Sequence, residues 1–220
     1  MAKKMDRREF LQVSAATGLI MSMGSSISLA DEPKAIQLIR PQMGSGSPLM
    51  QLLWKRMSSR EFIPEPLPVE VLSNLLWAAF GINRPDGKRT AATAGNKQEI
   101  DIYVATAGGL YLYDAKASLL HPILSEDIRT MTGRNAYGAS VNLVYVADYS
   151  KMGTGSDEDK IRSSAAATGL IAENVYLYCA SEGLATVVRG GIDRPVLATA
   201  MKLRADQKIV LAQSVGYPKK

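Results

Sequence analysis

Apolar residues recur at helical spacing through Leu49, Leu52, Leu53 and Met57, and again through Val71, Leu72, Leu75, Leu76 and Ala79. The pattern predicts one helix over residues 48–58 and a second beginning near Val69, with Pro64, Pro66 and Pro68 breaking the chain between them. Alternation over residues 100–104 predicts a strand, and Gly108-Gly109 leads into residues 110–113, which read as a hairpin with residues 118–123. Residues 141–146 read as an apolar run broken only by Asn142, as a strand covered on both faces would be. Residues 160–182 look apolar nearly all round, with Ala165, Ala166, Ala167, Leu170, Ile171, Val175, Leu177 and Ala180, and predict a helix buried at the heart of a domain or of a dimer. Ser125 followed by Glu126 and Asp127 reads as a helix cap with an acidic first turn. A strand near 185–188, a helix after Asp193-Arg194-Pro195 and a last strand over 208–215 complete the pattern, Pro195 suiting a first turn. Residues 81–95 and 150–159 read as surface loops, and 31–47 as an extended lead-in rather than a packed element.

The amino terminus carries a different signal. Lys3 and Lys4, then Arg7-Arg8 with Phe10-Leu11, precede a weakly apolar stretch that ends at Ser28-Leu29-Ala30, ahead of Asp31. This resembles a twin-arginine export signal with small residues for cleavage. Diluted by Gly18, Gly24 and several serines, the stretch falls short of the about twenty strongly apolar residues of a membrane span, so no permanent membrane anchor is expected. The resemblance implies a periplasmic or otherwise exported bacterial protein handled by the twin-arginine export machinery. That route carries folded proteins, which suits one that takes up a cofactor before crossing.

Charge and rare residues narrow the chemistry further. The formal net charge is +5, and losing residues 1–30 removes four basic and two acidic side chains, leaving +3. With no basic run and no interleaved aromatic and basic residues, nothing points to nucleic acid. A single cysteine, Cys179, excludes an intramolecular disulfide and reads as a core residue. A single histidine, His121, excludes a histidine-rich metal site and a Ser-His-Asp triad elsewhere in the chain.

Arg56-Met57-Ser58-Ser59-Arg60 places two guanidinium groups four residues apart with a hydroxyl between them, and on a helix end residues so spaced share a face. Arginine makes paired, charge-assisted bonds to phosphate and stays charged at any working pH. The segment is followed by three others: Thr93-Ala94-Gly95-Asn96-Lys97-Gln98 before a strand; Ala172-Glu173-Asn174 running on to Arg189-Gly190-Gly191-Ile192-Asp193; and Val215-Gly216-Tyr217-Pro218. In this order they resemble the nitroreductase family of FMN-dependent oxidoreductases, over residues 47–218. Ile36-x-Leu38-x-x-Pro41, residues 76–84 and Gly109-Leu110-Tyr111-x-Tyr113-Asp114 look most like the branch that includes thiazole- and oxazole-forming dehydrogenases.

The resemblance implies an α+β fold, with a central mixed, mostly antiparallel sheet flanked by helices, in a homodimer holding two FMN molecules at its interface. Residues 1–30 would be the signal, 31–47 the lead-in and 48–220 the FMN-binding domain. Arg56 would hold the FMN phosphate, Ser58 the phosphate or ribityl oxygens, and Arg60 the pyrimidine edge, where a cation stabilises reduced flavin. Asn96 and Gln98 would meet the ring edge, and Gly190 and Gly191 would pass backbone close to N5, as only glycine allows. Arg189 is left open between the phosphate, a partner subunit and solvent. Relatives often carry Pro-Ser-Ala near Thr93 and further basic residues after the last strand; here either phosphate binding is weaker or Lys219 and Lys220 substitute. The implied activity is hydride transfer through flavin between a small organic donor and an acceptor, with no side chain required as acid or base and with Tyr103, Tyr111 and Tyr113 as pocket candidates. The alternatives are a flavin-binding or scaffold protein without activity, and a cytoplasmic NAD(P)H-dependent nitro or quinone reductase.

Overall fold

The computed structural model describes residues 33–44, 46–134 and 138–219; the segment read as an export signal, residues 1–30, lies outside the described residues. Twelve elements follow in order: β1 (Ile36–Gln37), α1 (Leu49–Lys55), β2 (Phe62–Ile63), α2 (Val69–Phe80), β3 (Ile100–Thr106), β4 (Gly109–Asp114), β5 (Leu119–Leu124), β6 (Val141–Asp148), α3 (Asp157–Glu182), β7 (Ala185–Arg189), α4 (Arg194–Ala200) and β8 (Gln207–Pro218). The strands form one sheet in the order β1-β5-β4-β3-β6-β8-β2, with β7 also paired to β8. Every pair is antiparallel, which corrects the expectation of a mixed sheet. The reason is topological. The β3–β4–β5 meander turns too tightly for parallel pairing, and the crossover through α3 delivers β7 beside β8 rather than beside β6.

Two apolar layers sandwich the sheet. On one face Leu72, Leu75, Leu76 and Phe80 of α2 and Ala167, Ile171 and Val175 of α3 pack against Ile100, Ile102, Val104, Leu143 and Tyr145. On the other, Leu197 and Met201 at and beyond α4 meet Tyr103, Val144, Val146 and Ala212. All eight residues of β6 are buried, the polar Asn142 and Asp148 included, as expected of a strand covered on both faces. Cys179 is buried in the first layer, and His121 sits on β5 in an exposed pair with Asp114 at 3.3 Å.

Four further expectations are revised. First, α3 begins at Asp157, where Ser156 accepts a hydrogen bond from the Asp159 backbone N–H, and ends at Gly183 with φ +68°. It is not buried all round: Ser164, Ala167, Thr168, Ile171, Ala172, Val175, Tyr176 and Cys179 form one buried stripe, while Ile161 and Leu170 face outward at 60% and 52% exposure. Second, no α-helix starts at Ser125. Asp127 accepts from both the backbone and the side chain of Arg129, and only a 3-10 turn forms over Arg129–Thr132. Third, the lead-in is packed: Ile36 and Gln37 pair with Leu120 and Leu119, Leu38 is buried, and the Ile39 N–H donates to Ser73 on α2. Fourth, α1 stops at Lys55 instead of reaching Ser58, because the chain is drawn off to β7 by a Ser59 N–H bond to the Thr186 carbonyl. Among the described residues no helix is long and apolar enough to cross a membrane.

Candidate functional site

Arg56, at the carboxyl cap of α1, and Ser58 leave the helix together and converge on one residue, Tyr176 of α3. The Arg56 guanidinium lies over the Tyr176 ring, 5.1 Å from its centre. Ser58 Oγ stands 2.8 Å from the Tyr176 hydroxyl, which also accepts the Val188 backbone N–H at 3.0 Å. Tyr176 is 9% exposed. Having accepted from Val188, its hydroxyl can donate to Ser58 Oγ, and that arrangement leaves the serine proton for another acceptor. One side chain thereby ties the Arg56–Arg60 segment, α3 and β7 together. Sequence reasoning missed it because a tyrosine on a buried helical stripe reads as core; its two-residue offset from Asn174 within the Ala172-Glu173-Asn174 motif was the available signal.

The strand pairing fixes the same segment from its far side. Phe62 and Ile63 of β2 pair with Pro218 and Tyr217 of β8, and the Lys219 N–H donates to the Glu61 carbonyl at 3.2 Å. The Val215-Gly216-Tyr217-Pro218 motif is thus the seat of β2. Gly216 packs so closely that a Cβ would lie 2.8 Å from the Ser140 nitrogen and 3.3 Å from the Phe62 ring. Arg60, just before β2, is exposed. Among the described residues no carboxylate pairs with Arg56 or Arg60. The result is a cationic edge with an exposed serine hydroxyl, suited to an anion.

Two residues beyond Val188 the chain reaches Gly190 and Gly191, both exposed. A Cβ on Gly191 would meet nothing within 4 Å, and one on Gly190 only Leu211 at 3.7 Å. The backbone here borders a cavity of about 680 Å³ that Gly133 and Arg134 also line. Arg189 itself turns inward. It donates to the Thr132 carbonyl at 2.7 Å, Thr132 Oγ1 at 3.1 Å, Asn142 Oδ1 at 3.0 Å and Ser214 Oγ at 3.1 Å. Of the three surroundings left open for it, its guanidinium takes none, because these acceptors satisfy it within the fold.

Asn96 and Gln98 form a second cluster. Both have positive φ, +54° and +48°, next to Gly95 at +60°, a rare backbone for non-glycine residues that collects at functional sites. Gln98 is anchored: its Oε1 accepts from Arg89 at 2.7 Å, and its Nε2 donates to the Gly87 carbonyl and to Asn96 Oδ1. Arg89 in turn donates to the Phe80 carbonyl and lies 4.5 Å from the Phe80 ring centre, and burial lowers its pKa. Asn96, its Oδ1 accepting from Gln98, is exposed.

These two clusters do not meet within one chain. Asn174 of α3 reaches the Ala79 carbonyl on the α2 side, where Arg89 and Gln98 lie, while Tyr176 faces β7. Two residues on a helix are about 200° apart, so the clusters stand on opposite flanks of a cylinder about 10 Å wide. Tyr103 and Tyr111 are core residues bonded to Gln207 and the Gly108 carbonyl, and burial pushes the half-buried Tyr113 up to about 12.

Comparison with known proteins identifies the family of the fold. The nitroreductase family profile matches residues 53–217. A protein of Ralstonia eutropha described as a nitroreductase has 44% identity and a TM-score of 0.81, over 84% of this chain and 90% of that one. Protein MJ1384 of Methanocaldococcus jannaschii, also described as a nitroreductase, is 28% identical over 71% of this chain and 85% of its own length. The McbBCD microcin synthetase complex of Escherichia coli shares the fold at 16% identity, with a TM-score of 0.66 over 100% of this chain and 85% of that one. The family match spans the Arg56 segment, the Asn96 loop, the Gly190-Gly191 turn and the end of β8 together, and the chain belongs to the nitroreductase family.

Proposed function

We propose that this nitroreductase-family oxidoreductase binds FMN with its phosphate on Arg56 and Ser58, its ring beside the open Gly190-Gly191 backbone, and Arg60 near the pyrimidine edge. The observation that carries the reading is the Arg56–Ser58–Tyr176–Val188 cluster, a cationic edge with an exposed serine hydroxyl, two residues from glycines whose absent side chains would meet almost nothing. The pieces fit the group: unpaired guanidinium ions for a dianionic phosphate, and backbone without Cβ for the close approach of a flat ring. Bound FMN supplies the hydride chemistry, taking two electrons and a proton from a small organic donor and passing them to an acceptor. The protein's own groups bind, orient and provide positive charge where negative charge gathers. Reconstitution tests this: the purified chain mixed with FMN and desalted should stay yellow, and a colourless product would sink the reading.

Homodimerisation completes the site in this proposal. Asn96, exposed on the far flank of α3, would serve the flavin of a second copy. Exposed apolar side chains support a partner: Leu49, Met50, Leu53, Trp54 and Met57 on or next to α1, with Ile161 and Leu170 on α3. Export is proposed from the paired arginines of the amino terminus. An exported enzyme is separated from cytoplasmic NAD(P)H, so its donor would be a quinol, a redox protein or the substrate itself. Rapid anaerobic bleaching by NADPH alone would argue against that. The likeness to the thiazole- and oxazole-forming branch supports dehydrogenation as readily as reduction, and assays with each class of acceptor decide between them.

A further inference from the structure

Arg189 carries a full positive charge into the fold and meets only neutral acceptors there. Its partners are one carbonyl, two hydroxyls and one carboxamide oxygen, and among the described residues no carboxylate pairs with it. Burial lowers its pKa to about 10, so it remains charged at neutral pH. A partly buried charge without a counterion is costly, and four dipoles offset that cost only in part. Such a group is out of place in a purely structural core, where an apolar residue would pack without penalty.

Its position explains what it serves. Arg189 immediately precedes Gly190-Gly191, and Gly133, at φ +127°, separates the guanidinium from that turn: a Cβ on Gly133 would lie 2.6 Å from Arg189 Nη1 and 2.8 Å from the Gly191 carbonyl oxygen. Gly133, Gly190 and Gly191 line the same open cavity. A fixed charge inside the protein acts through a lower effective dielectric than one in water, so it is felt beyond contact distance. It therefore biases whatever occupies the far side of the glycines toward its more negative state.

We propose that Arg189 is an electrostatic tuning residue, which makes no contact with the flavin but raises its reduction potential by stabilising the reduced form from behind the Gly133–Gly191 wall. This inference rests on the FMN reading above. Thr132, Asn142 and Ser214 hold the guanidinium in place and leave its charge uncompensated.

The test is the midpoint potential of bound FMN in the full chain, by anaerobic dye-equilibrated titration, together with the dissociation constant of oxidised FMN. Arg189→Met removes the charge. Asn142→Asp keeps the shape and places a carboxylate where the carboxamide now accepts at 3.0 Å, neutralising the charge without emptying the site. Each should lower the preference for reduced over oxidised FMN about tenfold, a fall of about 30 mV for a two-electron couple. Arg189→Lys should stay near the wild type. If Arg189→Met does not fold, Asn142→Asp still decides. A flavin-loaded Asn142→Asp protein with an unchanged midpoint overturns the inference and leaves the FMN site intact, as does equal weakening of both redox states. A wild-type chain that binds no FMN overturns both.

Discussion

Tyr176 serves the candidate site through two features: its hydroxyl joins Ser58 to β7, and its ring lies under Arg56. Tyr176→Phe keeps the ring and leaves the Val188 N–H without its acceptor and Ser58 without its donor. Two lost hydrogen bonds at about 0.5–1.5 kcal/mol each should weaken FMN binding about tenfold, measurable by fluorescence titration. Arg56→Ala removes a charge-assisted bond and should cost about 10- to 100-fold. Wild-type affinity in Tyr176→Phe would show that the hydroxyl has no part in the site. Glu99 presents a different case, a fully buried carboxyl with no partner at hydrogen-bond geometry. Burial raises its pKa, against smaller opposite pulls from its own backbone N–H, Lys97 and Lys151. The native state thus holds this proton more tightly than the unfolded chain, so stability is lost as pH rises from the ordinary value near 4.5 through the raised one. Glu99→Gln should match the wild type in melting temperature below about pH 4 and exceed it increasingly toward neutrality. A difference independent of pH would refute this.

Elements differ in how far local pattern determines them, and the site shows why. Local pattern located α2 by helical spacing, β3 by alternation, β4 and β5 by a glycine-marked hairpin, and β6 and α3 by largely apolar composition. It missed β1 and β2, two residues each, which exist only because β5 and β8 offer partners. It also carried α1 through Ser58, since nothing local reveals that Thr186 will capture the Ser59 N–H. That capture matters for function, because a continued helix would turn Ser58 away from Arg56, whereas the released chain brings both to Tyr176. Arg56, Ser58, Asn96 and the two glycines were legible as motif residues, but the inward course of Arg189 and the anchoring of Gln98 by Arg89 depend on long-range packing. The glycines separate by role on this scale. Gly216→Ala pushes a methyl into Ser140 and Phe62, where β8 seats β2, and should destabilise the protein by about 1–3 kcal/mol, lowering the melting temperature by several degrees. Gly191→Ala meets open space and should leave the apo melting temperature unchanged while weakening FMN binding. Equal losses of stability in the two would contradict this division.

At the scale of the whole molecule, the two clusters of site residues and the apolar surface call for the same solution. One chain holds Arg56 and Ser58 on the β7 flank of α3 and Asn96 on the α2 flank, and it exposes Trp54 at 91% and Leu170 at 52%. Single exposed apolar residues need no explanation, but a run of them along α1 together with the outer face of α3 is where the proposed dimer would form. If two copies associate through it with two-fold symmetry, each supplies its Asn96 loop to the other's Arg56 edge, and both sites form or neither does. Trp54→Glu combined with Leu170→Glu changes only exposed positions, so the chain should still fold, with an unchanged far-ultraviolet circular dichroism spectrum. It should sediment as a monomer and lose FMN by at least tenfold, because half of each ring contact has gone while Arg56 and Ser58 remain. A folded monomer that binds FMN as the wild type does would show that one chain suffices and that Asn96 serves no second copy. A persistent dimer would place the interface on another face.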